Sequence, residues 1–154
     1  MYKLILNTFV LNLFFFFILV ENLSFADEQT QVKQYETGGI YEGEFLDGKQ
    51  HGKGKYSLPN GYYYEGDWKE GKIEGFGKAT YPNGNTYEGY FKKGKRQGTG
   101  VMTYSSGEKY EGYWANGIKQ GIGTEILKNF NKFQVNYDKG RQISRELIMF
   151  RGNV

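Results

Sequence analysis

Two groups of side chains in this sequence could take part in acid–base or metal chemistry: one histidine and a row of carboxylates. His51 is the only histidine in the chain, and a lone imidazole forms neither a catalytic triad nor a metal site. Glu42, Glu65, Glu88 and Glu111 recur every 23 residues. If each repeat holds two neighbouring strands, these carboxylates lie about 9.6 Å apart, too far to share a proton or a calcium ion. We therefore predict a protein that is not an enzyme, with no metal site and no cofactor.

Repeated rows of side chains suit binding better than catalysis, because a repeated surface needs no irregular residue. The first row is aromatic. We expect most of it to pack, but a single-layer sheet has no second layer to cover all of it, and exposed rings suit an extended peptide, a partner helix or a glycan. The partner-binding candidates in this row are Tyr41, Phe45, Tyr64, Trp68, Tyr87, Phe91, Tyr110 and Trp114.

A second row, called the basic edge, consists of Lys49, Lys72, Lys95 and Arg141. Lysines at the edge of a sheet usually keep it soluble and prevent unwanted pairing. Beside an anionic membrane, each of them would instead contribute about 1 kcal/mol of binding. These four residues are the candidates for lipid contact.

A third row lies on the face opposite the rings. The early repeats carry charges there, such as Glu44 and Lys53, and so we expect the glutamates to pair across strands with Lys53, Lys55 or Lys78, or to accept backbone amide protons. The later repeats turn apolar at Tyr90, Val101, Tyr113, Ile122 and Ile126. Something should cover that half, either the carboxyl-terminal segment through Leu147 and Met149, a partner protein, or a second copy. We take Tyr90, Tyr113 and Ile122 as further partner-binding candidates.

The elements that position these rows form a four-fold repeat with a constant period of 23 residues. Tyr-Glu-Gly triplets begin at residues 41, 64, 87 and 110. Counted from each triplet tyrosine as position zero, glycine recurs at positions 2, 7, 11, 13 and 20, and these positions hold 19 of the 23 glycines. A fixed period of this size predicts an array of stacked supersecondary units.

Alternation of apolar and polar residues within each repeat predicts two strands. We expect residues 46–51 to connect them, with His51 in the solvated turn. The glycines at positions 11 and 13 should leave a floor for a ring, as Gly75 and Gly77 would for Tyr64 or Trp68. Those at positions 7 and 20 should supply positive φ in turns. The predicted fold is all-β: an elongated, single-layer antiparallel meander of stacked hairpins.

Both ends of the array depart from the pattern. Residues 35–40 fit the tail of an earlier unit, and residues 27–34 are polar enough to predict a disordered linker. At the other end, residues 133–154 fit a degenerate repeat that caps the stack, followed by a tail. A short helix from Ile143 to Met149 is the alternative.

The first 26 residues read as a secretory signal peptide. Lys3 precedes an apolar run over residues 9–20, and Ser24-Phe25-Ala26 places small residues before a cleavage point. This predicts an exported protein, periplasmic or secreted; the alternative is an uncleaved anchor over residues 4–20. The chain has no cysteine, so its stability must come from stacking without disulfides. Its net charge of +3, with acids and bases interleaved, argues against nucleic acid as a partner.

The pattern Tyr-x-Gly-x-aromatic, with glycine at position 7, Gly-x-Gly at position 11 and Pro-Asn-Gly near the close, resembles the MORN (membrane occupation and recognition nexus) repeat. The resemblance covers residues 35–142, with full repeats starting at 41, 64, 87 and 110. It implies elongated antiparallel sheets of hairpins that serve as non-catalytic modules for protein assembly and, in some members, proposed membrane-lipid contact.

The function predicted from these observations is a non-enzymatic interaction or scaffolding module that presents an aromatic-lined surface outside the cytoplasm. Peripheral binding of anionic membranes through the basic edge is one alternative. Glycan or cell-wall binding by stacked rings, suggested by Tyr62-Tyr63-Tyr64, is another. A protein partner is expected, and self-association is also compatible with the repeats.

Overall fold

The computed structural model describes residues 30–150, and all of its regular structure is β-strand. Eleven strands in this part of the chain follow one another in a single antiparallel sheet, in the order β1 to β11. This confirms the predicted all-β, single-layer meander. The strands are β1 (Gln31–Gln34), β2 (Ile40–Leu46), β3 (Lys49–Ser57), β4 (Tyr63–Lys69), β5 (Lys72–Thr80), β6 (Thr86–Lys92), β7 (Lys95–Thr103), β8 (Lys109–Ala115), β9 (Ile118–Ile126), β10 (Lys132–Asp138) and β11 (Arg141–Met149).

Each repeat is a hairpin of one seven-residue strand and one nine-residue strand. Asp47 and Gly48 form the connection with φ of 50° and 72°, which is the geometry of a two-residue type I′ turn. The prediction of a connection over residues 46–51 was therefore wrong, and His51 lies inside β3. The predicted positive φ at positions 7 and 20 is confirmed, for example at Gly71 and Gly84.

A row of glycines crosses the sheet from strand to strand. Gly54 lies opposite Gly43 on one side and Gly66 on the other, and the row continues through the later repeats at positions 2 and 13. A Cβ atom added at Gly77 would come within 2.3 Å of the Tyr64 hydroxyl oxygen. Position 13 thus provides the predicted floor for a ring.

The glycine at position 11 does not contribute to this floor. Gly75 has φ of +107°, and a Cβ atom there would meet the Asp67 side chain. It lies in a bulge, where the register between β4 and β5 shifts. The ring floor is therefore built from positions 2 and 13, and the prediction for position 11 was wrong because the bulge separates it from the rings.

The ends of the sheet are also ordered. Residues 31–34 form β1 and pair with β2, so the predicted disordered linker does not extend over them; backbone pairing with an open edge requires no buried side chain. β10 and β11 form the predicted fifth hairpin, with Val135 opposite Arg145. The alternative helix over 143–149 is wrong because those residues pair with β10. The predicted signal peptide and residues 27–29 lie outside the described residues.

Candidate partner-binding surfaces

The four triplet tyrosines form the centre of the core on one side of the sheet, the ring face. Each of them is fully buried; they are Tyr41, Tyr64, Tyr87 and Tyr110. The ring lies across the glycines of its own hairpin, and its hydroxyl donates to the carbonyl oxygen three residues ahead. In the second repeat, 3.0 Å separates the Tyr64 hydroxyl from the Asp67 carbonyl oxygen. A flat ring on a bare backbone thus takes the place of a second layer of structure.

A second aromatic in each later repeat fills the space between two triplet tyrosines. The Trp68 ring lies 5.0 Å from Tyr41 and 5.6 Å from Tyr64, edge to face with both. Phe91 contacts Tyr64 and Tyr87 in the same way, at 5.3 and 5.0 Å. Edge-to-face contact is a favoured arrangement of aromatic pairs. The rings therefore form one continuous chain that joins neighbouring repeats.

Burial changes the acidity of these phenols. It raises the pKa of Tyr41, Tyr87 and Tyr110 to about 12, and it also raises the pKa of Tyr64. The hydroxyls therefore stay protonated at neutral pH and continue to donate to backbone carbonyls. Their chemistry is that of packing groups.

The aromatic candidates thus belong to the core. Seven of the eight are buried, and Phe45 is partly buried. The expectation that part of this row stays exposed was wrong, because the rings lie flat on glycine and cover one another. The run from Tyr62 to Tyr64 does not form one stacked platform either: Tyr64 is buried, Tyr62 packs against Tyr81 at 5.9 Å, and Tyr63 is exposed.

On the other side of the sheet, called the opposite face, carboxylates and lysines alternate across the first strands. The register places Lys55 between Glu42 and Glu65, and Lys78 between Glu65 and Glu88. The Lys78 amino group lies 3.7 Å from the Glu88 carboxylate. Cross-strand pairing of the glutamates is confirmed for this pair, although exposed ion pairs contribute at most about 1 kcal/mol.

Glu44 and Asp67 occupy the bulges of the first two repeats. The amide nitrogen of Lys53 donates to Glu44 at 2.8 Å, and that of Phe76 donates to Asp67 at 2.8 Å. The Lys53 side chain also forms an ion pair with Asp67. The acids at this position are therefore engaged with the protein's own backbone.

Apolar side chains take over this part of the opposite face in the later repeats. Tyr90 and Tyr113 occupy the position that holds a carboxylate in the first two repeats. Tyr90 lies opposite Phe76 with their rings 5.5 Å apart. Tyr113 lies on β8, and Ile122 lies on the neighbouring strand β9. We call these four side chains the apolar strip; Phe76, Tyr90, Tyr113 and Ile122 are 46%, 51%, 45% and 65% exposed.

An open groove of about 730 Å³ lies beside the strip, and Tyr90 and Tyr113 line it, whereas Phe76 and Ile122 do not. Its lining changes from Glu44 and Asp67 at one end to Tyr90 and Tyr113 at the other, and it also includes Lys92. The groove crosses several repeats, so an elongated ligand could contact all of them. Grooves of this size bind ligands more readily than a flat surface does.

The sequence analysis found most of the strip but missed Phe76. Phe76 has the same repeat position as Ile122, which was found, but the second repeat was taken as charged and Phe76 was not considered. The two-residue turn had a signal of its own, since an Asp-Gly pair is typical of such a connection. Val101 and Ile126 lie in other rows of the same face, opposite Glu111 and Lys132 respectively.

The carboxyl-terminal strand does not cover the strip. β11 continues the plane of the sheet as the neighbour of β10, and all nine of its residues are exposed. Of the alternatives for covering this half, the one in which Leu147 and Met149 fold back over the opposite face is wrong, because their backbone groups pair with β10. Nothing in residues 30–150 lies over the apolar strip.

The basic edge follows the row of tight turns. Each of its members is exposed and is the first residue of a nine-residue strand. Ile118 interrupts the row in the fourth repeat. Lys92 and Lys93 lie beside Lys95 at the third turn, and these three lysines form no ion pair with the described acids. The strongest positive charge on this edge is thus at the third repeat.

His51 occupies a position at which the other repeats link neighbouring hairpins. Glu74 accepts a hydrogen bond from the Lys93 amide at 2.8 Å, and Gln97 accepts one from the Asn116 amide at 3.1 Å. The side chain at this position therefore contacts the turn of the next repeat. Sequence reasoning missed this linkage because it placed the residue in a turn, outside the sheet.

One polar cluster breaks the repeat on the ring face. Lys119 lies 3.4 Å from Glu125 and 3.1 Å from the hydroxyl of Tyr137, and that hydroxyl donates to Glu125 at 2.7 Å. Burial alone would lower the pKa of Lys119, but the phenol oxygens of Tyr137 and Tyr104 hold it above its ordinary value. These mutually paired charges fit a structural role at the junction with the fifth hairpin.

Four consecutive matches to one family model agree with this architecture. The model of the MORN repeat matches residues 41–61, 64–86, 87–109 and 110–132. The chain belongs to the MORN repeat family. A search of curated proteins finds no match. MORN repeats are generally non-catalytic modules for protein or membrane interaction, and within residues 30–150 no acidic, histidine or cysteine side chains cluster as a metal site. No helix in the same range is long and apolar enough to cross a bilayer.

Proposed function

We propose that this MORN repeat protein is a non-catalytic interaction module that binds a partner protein through the apolar strip. The observation that carries the proposal is the exposure of four large apolar side chains in one row, each between 45% and 65% exposed. Single exposed apolar residues are ordinary on protein surfaces, whereas a group of them is typical of a binding surface, and here only Thr99 on β7 separates Tyr90 from Tyr113. The groove beside the strip offers further contact area for an elongated partner.

The difference between early and late repeats supports this choice of surface. In the first two repeats, carboxylates satisfy the bulge amides through hydrogen bonds. In the third and fourth repeats, Tyr90 and Tyr113 replace these carboxylates and expose an aromatic ring instead. Exposed aromatic side chains are frequent hot spots in protein interfaces.

Site-specific photo-crosslinking tests the proposal and identifies the partner. We would place a photoreactive amino acid at Thr99, which lies opposite Tyr113 of the strip. A matched one would be placed at Lys55 in the charged half of the same face. We expect one protein to crosslink from Thr99 and not from Lys55. Equal crosslinking from both positions would contradict the proposal.

Affinity for that partner then provides a quantitative test. The double variant Tyr113→Ser with Ile122→Ser should weaken binding at least tenfold, because truncation of buried apolar anchors costs more than about 1.4 kcal/mol. The control variant Ile40→Ser with Leu46→Ser removes two exposed apolar groups outside the strip. Unchanged binding by the first variant, with an intact fold, would refute the proposed surface.

A second candidate function is binding to an anionic membrane through the basic edge. The observation that favours it is the group of exposed lysines at the third turn, Lys92, Lys93 and Lys95. Flotation with phosphatidylserine vesicles should fall as salt increases, and it should fall further when these three lysines are changed to Gln. Changing Lys55, Lys109 and Lys128 to Gln removes the same charge elsewhere. A vesicle-bound fraction that changes neither with salt nor in either variant would exclude this function.

We further propose that the module acts outside the cytoplasm after removal of residues 1–26. The support is the apolar run over residues 9–20 followed by Ser24-Phe25-Ala26. Intact-mass analysis of the protein from its native compartment should show a chain that begins at Asp27. A chain that retains Met1 would contradict cleavage.

A further inference from the structure

The last strand of the sheet has a complete backbone edge with no partner in residues 30–150. Each of the other nine-residue strands, β3, β5, β7 and β9, pairs with its own hairpin partner on one side and with the next hairpin on the other. Within residues 30–150, β11 pairs only with β10. It carries one bulge near its start, as the other nine-residue strands do, and a second one at Ile148, between Leu147 and Met149. Between these bulges its outer amide and carbonyl groups face outwards.

The side chains of β11 are unusually apolar for an open edge. Ile143, Leu147, Ile148 and Met149 are 52%, 47%, 53% and 49% exposed. Sheet edges are normally protected by short strands, charged side chains, proline or bulges, and an exposed apolar edge favours pairing with another strand. β11 is long and has no proline; its charged residues are Arg141, Arg145 and Glu146, and Arg145 pairs with Glu125 of its own chain.

The edge at the other end of the sheet is protected. β1 has four residues, two of them glutamine and one lysine. An open edge that is nine residues long can therefore match only four residues of a second copy's β1, but it can match all nine of a second copy's β11. Head-to-tail pairing would also leave open edges at both ends.

We propose that two copies of the chain associate through β11, antiparallel about a two-fold axis, so that their sheets form one continuous sheet. The pairing repeats the antiparallel arrangement of every neighbouring pair of strands within the chain. It brings the exposed apolar side chains of the two copies into cross-strand contact and satisfies the free backbone edge of each. Because the axis relates two identical edges, assembly stops at the dimer.

A register centred on Arg145 fits the side chains of this edge. It places Leu147 of each copy against Ile143 of the other, and Glu146 against Ser144. The two copies of Arg145 would lie side by side, but each is 3.5 Å from its own Glu125 and lies over the Phe133 ring at 3.8 Å. Glu125, which also pairs with Lys119, thus offsets part of the repulsion between the two arginines.

This dimer would leave the apolar strip accessible, since the strip lies on β5 to β9, away from β11. Two strips would then be held on one continuous sheet. A partner with two binding segments would bind such a pair more tightly than it binds a single strip, because the second contact becomes intramolecular. The inference itself does not depend on the proposed partner.

Light scattering on the purified chain from Asp27 onwards, without any partner, tests the association. We expect twice the monomer mass for the natural chain and the monomer mass for Ile148→Lys, which places charge in the proposed interface. Val32→Lys makes the same change on β1 and should leave the dimer intact. A monomeric natural chain, or a dimer lost with Val32→Lys and kept with Ile148→Lys, would overturn the proposal.

Cysteine crosslinking tests the symmetry without changing an apolar residue. The chain has no natural cysteine, so Ser144→Cys and Gln31→Cys each introduce a single reactive site. With a short bis-maleimide, Ser144→Cys should give a crosslinked dimer and Gln31→Cys should not. A crosslinked heterodimer of the two variants when they are mixed would indicate head-to-tail pairing and contradict the two-fold arrangement.

Discussion

The two faces of this sheet follow different rules. On the ring face, each repeat sets a tyrosine on glycine, and the rings contact one another along the array. On the opposite face, the same positions change from carboxylate and lysine in early repeats to aromatic and aliphatic side chains in later ones. Strict repetition thus accompanies packing on the ring face, while on the opposite face departure from the repeat accompanies exposed apolar side chains.

The largest expected effect is loss of the fold at alkaline pH. The triplet tyrosines have folded-state pKa values raised by burial, to about 12 for Tyr41, Tyr87 and Tyr110. The stability linked to this shift is present below the ordinary tyrosine pKa near 10 and is lost as pH rises through 12. We expect circular dichroism and tyrosinate absorbance to change together in that range. Tyrosinate formation across that range without unfolding would show that the rings are accessible.

Truncation of one tyrosine on each face compares the faces directly. Tyr87→Ala removes a fully buried ring and should lower the free energy of unfolding by about 4 kcal/mol. Tyr90→Ala removes a half-exposed ring on the opposite face and should cost less than about 1 kcal/mol. Urea denaturation followed by fluorescence measures both. Equal decreases in the free energy of unfolding for the two variants would contradict the difference between the two faces.

Two glycines separate contact with a ring from backbone geometry. A Cβ atom at Gly100 would lie 2.3 Å from the Tyr87 hydroxyl oxygen, so Gly100→Ala should destabilise the protein by about 2 to 3 kcal/mol. Gly94 lies in a tight turn with φ of +77° and no atom within 4 Å of the added Cβ, so its replacement should cost about 1 kcal/mol. Thermal unfolding of both variants checks this order, and the reverse order would contradict the proposed glycine floor.

The smallest of these effects concerns the polar cluster that breaks the repeat on the ring face. Lys119→Met removes contacts with the Tyr110 and Tyr137 rings at 4.2 and 4.6 Å, and with Glu125. We expect a loss of about 1 kcal/mol, because methionine keeps most of the packing. The exposed Lys109→Met variant is the control. A stabilised Lys119→Met protein would show that the cluster serves something other than stability.

Much of the fold follows from the sequence because the period repeats the same physical requirements four times. Glycine at positions 7 and 20 predicted the turns, and alternation predicted the strands. Asp47-Gly48 signals a two-residue turn in the first repeat, but the turns at Glu70 and Lys93 require positive φ at residues that rarely adopt it. The bulge was missed together with the turn, whereas Phe76 was overlooked because its repeat was taken as charged.

The burial of the rings could not be predicted from spacing alone. Tyr64 is covered only because Trp68 and Phe91 lean over it from its own and the next repeat. That arrangement depends on the register of strands that are far apart in sequence. The later change of the opposite face to apolar side chains, by contrast, is visible in the sequence as a departure from the repeat, and Tyr113 and Ile122 were found in that way.

The most direct test of the division between the two faces is tyrosine nitration of the native protein, followed by peptide mass spectrometry. We predict rapid modification of Tyr90 and Tyr113, which are half exposed, and protection of Tyr64, Tyr87 and Tyr110, which are fully buried. Modification of these three buried tyrosines at the rate of Tyr90, while the protein remains folded, would contradict the account.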